Sequence, residues 1–192
     1  MPRLLPGVPA HRAPVRRAVG TAVLAILGWR VEGNFPGLRK FVVVVAPHTS
    51  NWDFVVGIAA YLALEIAATW FGKHTLFHWP LGPLLRSFGG IPVVRNRPTN
   101  VVDLYVAEFA RRDRMVLAIA PEGTRSRVAE WKTGFYRIAV GAGAPIVPVA
   151  LDFGTRTVRI FPPFAPTGNL KEDVALLRGL FDRSMACRGE LY

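Results

Sequence analysis

His48 and Asp53 stand five residues apart in His-Thr-Ser-Asn-Trp-Asp, directly after an apolar, valine-rich run over residues 41–46 that stops at Pro47. A carboxylate that fixes the tautomer of a histidine and stabilises its imidazolium makes that histidine a general base. On one continuous helix, residues five apart lie off a common face, because side-chain neighbours are three or four apart. The pair therefore requires a strand, a short turn, and a helix that begins near Trp52 or Asp53, where Asp53 also suits a helix N-terminus. Open α/β sheets bind ligands at the C-terminal edge of their strands, which is where such a strand would deliver His48.

A second apolar run, residues 115–120, delivers Pro121-Glu122-Gly123-Thr124-Arg125-Ser126 in the same way, and a short strand over residues 91–94 ends at Arg95. Arginine offers a planar fork that matches phosphate, and glycine lets a phosphate approach the backbone closely. Glu122 could accept a hydrogen bond from a polyol or pair with Arg125 or Arg127. Ser50 lies beside His48, but the Gly-x-Ser-x-Gly elbow that presents a nucleophilic serine is absent. A substrate hydroxyl is the better target for His48. For an isolated His-x4-Asp, helix capping is the competing explanation; charges at successive strand ends favour a site.

The elements that would carry these residues can be read from periodicity. Residues 53–63 form an apolar helix, 66–71 an extended segment, and 80–88 a helix stopped by Gly89 and Gly90. Residues 99–112 carry Val102, Tyr105, Val106 and Phe109 at helical spacing. Residues 134–140 read as helix, 146–151 and 157–161 as strands, and Asn169 with Glu172 forms a capping box for a last helix through Met185. This alternation predicts a single-domain α/β sandwich with a mixed, largely parallel central sheet flanked by helices.

The chain has 192 residues, 51% of them hydrophobic, and a formal charge of +11 carried almost wholly by arginine, with only Lys40, Lys73, Lys132 and Lys171 as lysines. Its field attracts anionic surfaces such as lipid headgroups, nucleic acid or phosphorylated substrates. Cys187 is the single cysteine, which excludes an intrachain disulfide and a thiolate zinc cluster. His74 and His78 share a spacing that suits metal, yet no third ligand is evident, and no metal site is expected. No run of about eighteen uninterrupted apolar residues is present, so a spanning helix is not expected. Residues 1–32 form a basic and apolar arm, with Arg3, Arg12, Arg16 and Arg17 ahead of an apolar segment ending at Trp29. It reads as a membrane-associating interfacial helix or as a helix that caps the core, and no convincing cleavage site supports a signal peptide.

Residues 43–150 resemble the glycerophospholipid acyltransferases, the group of 1-acylglycerol-3-phosphate and related lysophospholipid acyltransferases. The resemblance falls on four ordered blocks: His48 with Asp53; Lys73, Leu76, Pro80, Gly82, Gly90 and Arg95; Glu122-Gly123-Thr124-Arg125; and Ile146-Val147-Pro148-Val149-Ala150. It implies that His48, oriented by Asp53, activates an acceptor hydroxyl that attacks an acyl thioester directly, with no acyl-enzyme, metal or cofactor. Acyl-CoA or acyl carrier protein would be the co-substrate. It also implies that Arg95, Glu122, Gly123, Thr124 and Arg125, with Lys73 as a helper, hold the acceptor's glycerol phosphate, and that the fourth block lines the acyl path. Residues 33–192 would be the acyltransferase domain, held at the cytoplasmic face of a membrane as a peripheral or monotopic protein. The arm is shorter than the paired helices of some relatives, and the tryptophan in His-Thr-Ser-Asn-Trp-Asp departs from the commonest phosphatidate-forming members. Those departures leave open another acceptor, such as a lyso-ornithine lipid. A lipid thioesterase or esterase, with His48 activating water, and a non-catalytic basic membrane-binding domain are the rival functions. Dispersed basic residues without interleaved aromatics speak against nucleic acid as a partner.

Overall fold

The computed structural model describes residues 4–93 and 101–192. In chain order the elements are α1 (Pro14–Ile26), β1 (Arg30–Glu32), β2 (Lys40–Ala46), α2 (Asn51–Leu64), β3 (Ala68–Lys73), α3 (Leu81–Ser87), β4 (Gly90–Val93), α4 (Val101–Arg111), β5 (Met115–Ile119), α5 (Gly134–Gly141), β6 (Ile146–Asp152), β7 (Thr157–Ile160) and α6 (Leu170–Arg178). They build one α/β domain whose seven strands form a single sheet in the order β1-β7-β6-β2-β5-β3-β4.

The centre of the sheet follows from its sequence. β2 reads Lys-Phe-Val-Val-Val-Val-Ala, a continuous apolar run rather than an alternating one, as a strand covered on both faces requires. Phe41 and Val43 face a layer that holds Leu24 of α1 and Val56 and Ala60 of α2. Val42 and Val44 face Phe109 of α4, Phe135 and Ile138 of α5, and Leu177 of α6. Strand periodicity thus splits one valine run between two cores. β2 runs parallel to β5 and β6, β5 parallel to β3, and β3 parallel to β4. The five strands share one direction and open at one common C-terminal edge. The hairpin of β6 with β7 is antiparallel, and β1 adds an edge strand parallel to β7.

Helix α1 starts with Pro14 at its first position, where a missing N–H costs nothing. Glu65, at the far end of α2, accepts from the Ala13 N–H at 3.0 Å and from Arg17 at 3.3 Å. Gly20 then lies against Ala59 and Ala63 in the second half of α2, so α1 runs antiparallel to α2 toward the C-terminal edge of the sheet. The inner face of α1 buries Gly20 and Leu24, and its outer face leaves Val15, Val19 and Ile26 exposed. Among the described residues no helix is long and apolar enough to cross a membrane.

Two expectations are corrected. The last helix ends at Arg178 instead of Met185: Gly179 follows, and the Asp182 side chain accepts from Ser184 N–H at 2.7 Å to start a separate short turn over Arg183–Met185. Residues 30–32 form strand β1, although three residues with charged ends carry no strand periodicity of their own.

The α1 and α2 backbones touch because position 20 has no side chain. A Cβ on Gly20 would fall 2.5 Å from both the Ala59 carbonyl oxygen and the Ala63 nitrogen. Gly20→Ala gains roughly 0.5–1 kcal/mol of helix propensity, but overpacking against backbone costs about 1–3 kcal/mol, so clash wins. Urea unfolding of this variant should therefore show a net loss of stability; an unchanged or raised midpoint would mean that α1 does not pack on α2 in this way.

Candidate active site

The turn after β2 is built around one carboxylate. Asp53 sits at the third position of α2, and its Oδ2 accepts from the Thr49 N–H at 2.6 Å and the Ser50 N–H at 2.7 Å. Ser50 is the N-cap, and its Oγ accepts from the Trp52 N–H at 3.2 Å, which completes a capping box. The serine hydroxyl is thus occupied in capping the start of the helix. His48 Nδ1 lies 3.2 Å from the same Asp53 Oδ2. Asp53 is buried, while the His48 side chain keeps 24% of its surface exposed. Nδ1 is turned to the carboxylate, and Nε2 has no protein partner among the described residues. The carboxylate thus stands behind the ring, where a hydrogen bond from Nδ1–H would fix the tautomer of a general base.

The turn after β5 meets it directly. Val44 and Ile119 are register partners near the ends of their strands, so the two turns leave the sheet at the same level. Glu122 is buried, and its Oε1 accepts from the His48 N–H at 3.2 Å, joining the turns across 74 residues of sequence. Burial raises the Glu122 carboxyl above the usual carboxylate range, and the neighbouring Asp53 carboxylate adds to that; the hydrogen bond within its own residue, the charge of His48 and the His48 N–H oppose it. Gly123 has φ of +64°, a left-handed geometry that favours glycine, and it brings the chain back toward Lys132. Thr124 Oγ1 accepts from Ser126 N–H at 3.3 Å, shaping the turn, and Arg125 is exposed.

Lys73, the last residue of β3, is exposed at the same edge, one strand beyond β5. Residues 146–150 lie in β6 beside β2 and are buried along their length. Arg95 falls outside the described residues. The structure therefore brings His48, Asp53, Glu122, Gly123, Thr124 and Arg125 to two adjoining turns, with Lys73 along the same edge. Sequence reasoning missed the support from the C-terminal segment. The Arg188 N–H donates to Thr49 Oγ1 at 3.1 Å across 139 residues, and no local pattern signals such a contact. Burial and the Glu122 carboxylate push the Tyr192 phenol up to about 12. A cleft of about 970 Å³ lies elsewhere, lined by Leu5, Arg12, Arg17, Glu65 and Arg114 at the N-terminal edge of the sheet; it has no part in these turns.

His48 backed by a buried carboxylate, at the C-terminal edge of a mixed sheet and bonded to a Glu-Gly-Thr-Arg turn, is an arrangement suited to general-base chemistry on a hydroxyl or on water. Residues 30–152 match the Acyltransferase family, and the chain belongs to that family. The 1-acyl-sn-glycerol-3-phosphate acyltransferase of Salmonella typhimurium is 31% identical over 165 residues, which are 81% of this chain and 65% of that protein. Its namesake from Escherichia coli is 30% identical over the same shares. The chain thus spans 65% of the length of these relatives. The fold is similar to the crystal structure of the 1-acyl-sn-glycerophosphate (LPA) acyltransferase PlsC from Thermotoga maritima, with a TM-score of 0.63 at 22% identity over 87% of this chain and 78% of that one.

The raised pKa of Glu122 carries a sign for stability. A carboxyl whose folded pKa lies above its unfolded value stabilises the fold fully below the unfolded pKa and loses that contribution as pH rises through the folded one. Glu122→Gln keeps an acceptor for the His48 N–H and removes the buried charge. Denaturant unfolding at pH 5 and pH 8 should show that wild type loses more stability than the variant as pH rises; the opposite ordering would contradict a carboxyl destabilised by burial.

Proposed function

We propose that this chain transfers a fatty acyl group from an acyl thioester, acyl-CoA or acyl carrier protein, to the hydroxyl of 1-acylglycerol 3-phosphate. The reading is carried by the His48 Nδ1 to Asp53 contact of 3.2 Å, formed at a turn tied through Glu122 to the Glu-Gly-Thr-Arg segment. The names of the relatives at 30–31% identity support the same chemistry.

In this mechanism His48 Nε2 takes the proton from the acceptor hydroxyl as its oxygen attacks the thioester carbonyl. A C–O bond forms, the carbonyl π electrons move to oxygen, and their return expels the thiolate as the C–S bond breaks. The imidazolium gives its proton to that sulfur, so the thiol leaves neutral and His48 is regenerated. Asp53 stabilises the imidazolium while it exists. Arg125, Lys73 and Arg95 supply positive charge for the acceptor's phosphate, Gly123 turns the chain between Glu122 and Arg125, and Glu122 fixes the backbone on which His48 rides.

The N-terminal segment through α1 serves as the arm that holds the enzyme on the cytoplasmic face of a membrane, while residues 30–32 join the sheet as β1. The apolar outer face of α1, with Val15, Val19 and Ile26 exposed beside Arg12 and Arg16, suits an anionic lipid interface. Trp52 and Trp79 are exposed near the C-terminal edge of the sheet, where interfacial tryptophan would keep the site at headgroup level.

His48→Ala should lower kcat/KM by about a hundred- to ten-thousandfold, as expected for loss of a general base, while binding to anionic liposomes is retained. The assay is mass spectrometry of products from labelled acyl-CoA and a panel of lysolipid acceptors. Phosphatidate formed by wild type and lost in the variant is the expected result; release of free fatty acid without acylated lipid, or undiminished turnover by the variant, would overturn the proposal.

A further inference from the structure

Lys132 belongs to none of the sequence blocks that mark the site, yet its side chain lies on the Glu122-Gly123 turn. Its backbone is held there: the Lys132 N–H donates to the Pro121 carbonyl at 2.9 Å, and the preceding Trp131 is buried against Phe135 and Phe181. From that anchor the side chain folds over Gly123. A Cβ on Gly123 would fall 2.9 Å from both Lys132 Cδ and Nζ and 3.0 Å from Cε. The ammonium group thus rests in contact with the bare face of the glycine, one residue from the carboxyl that bonds His48. Lys132 is exposed, and no carboxylate among the described residues lies within ion-pair distance of it.

A free lysine normally keeps its rotamer freedom and its full hydration. One laid across a left-handed glycine at the ligand edge of the sheet places a positive group on backbone that lacks a side chain, two residues from the exposed Arg125 of the same turn. That combination fits a phosphate monoester. We propose that Lys132 binds the phosphate of the lysophospholipid acceptor over Gly123 and so selects phosphorylated over neutral acceptors. The proposal rests on the acyltransferase reading above and adds a residue and a specificity to it.

The alternative role is mechanical, with the aliphatic stem of Lys132 merely covering the turn. Lys132→Met keeps the stem and removes the charge, and Lys132→Arg keeps the charge. With wild type, KM is measured for 1-acylglycerol 3-phosphate, for acyl-CoA, and for uncharged 1-acylglycerol. The methionine variant should raise KM for the phosphorylated acceptor by roughly ten- to a hundredfold, the range expected for one lost charge-assisted hydrogen bond. KM for acyl-CoA and turnover of the neutral acceptor should hold, and the arginine variant should recover most of the loss. In a separate measurement on the unaltered protein, glycerol 3-phosphate should protect Lys132 from acetylation, read by peptide mass spectrometry. An unchanged acceptor KM in the methionine variant, a rise in the acyl-CoA KM instead, or absence of protection would overturn the assignment while wild-type phosphatidate synthesis left the acyltransferase reading standing. Failure of wild type to acylate 1-acylglycerol 3-phosphate would remove both.

Discussion

One oxygen of Asp53 organises the site. Oδ2 receives two backbone N–H groups and faces the His48 imidazole at 3.2 Å, while Asp53 itself is buried at the N-terminus of α2. A buried carboxylate is tolerated only if it is paired and hydrogen-bonded, and here the helix end supplies both donors and a favourable dipole. The same contacts that make the charge affordable fix the turn on which His48 stands. The contact to His48 and the helix cap therefore share one oxygen, so the two explanations of the motif do not exclude each other.

The sheet supplies the second constraint. β2 lies between β5 and β6, and β2 and β5 are parallel, so their following turns emerge side by side at one edge. Glu122 converts that adjacency into a bond to the His48 amide. Burial of that carboxyl raises its pKa, and the nearby Asp53 carboxylate acts in the same direction. The C-terminal segment closes the arrangement from the other side through Arg188 and Thr49. Two segments distant in sequence thus converge on His48 and its neighbour Thr49.

Much of this is legible in the sequence where a local rule decides the outcome. The valine run of β2, the apolar helix after it, and the amphipathic α4 follow from periodicity, and the Asn169 cap from its spacing to Glu172. Strand β1 was not legible because Arg30–Glu32 is held by pairing with β7, a long-range contact without a local signature. The end of α6 was misplaced because Phe181 and Met185 prolong an apolar pattern that Gly179 and the Asp182 turn interrupt. Within the site, His48, Asp53 and the Glu-Gly-Thr-Arg segment were identifiable by residue type and order. The donor to Glu122, which is the His48 N–H, and the position of Lys132 depend on tertiary placement. Ser50, weighed as a nucleophile from its neighbourhood, is a helix cap.

The central claim is that Asp53 holds His48 as a base with Nδ1 protonated and Nε2 turned to the acceptor. Nitrogen-15 NMR of imidazole-labelled protein, at a pH where His48 is neutral, reads the tautomer directly. The account predicts a protonated, pyrrole-type Nδ1 and an unprotonated, pyridine-type Nε2, with that preference lost in Asp53→Asn. A neutral His48 protonated at Nε2 in the wild-type protein would contradict it.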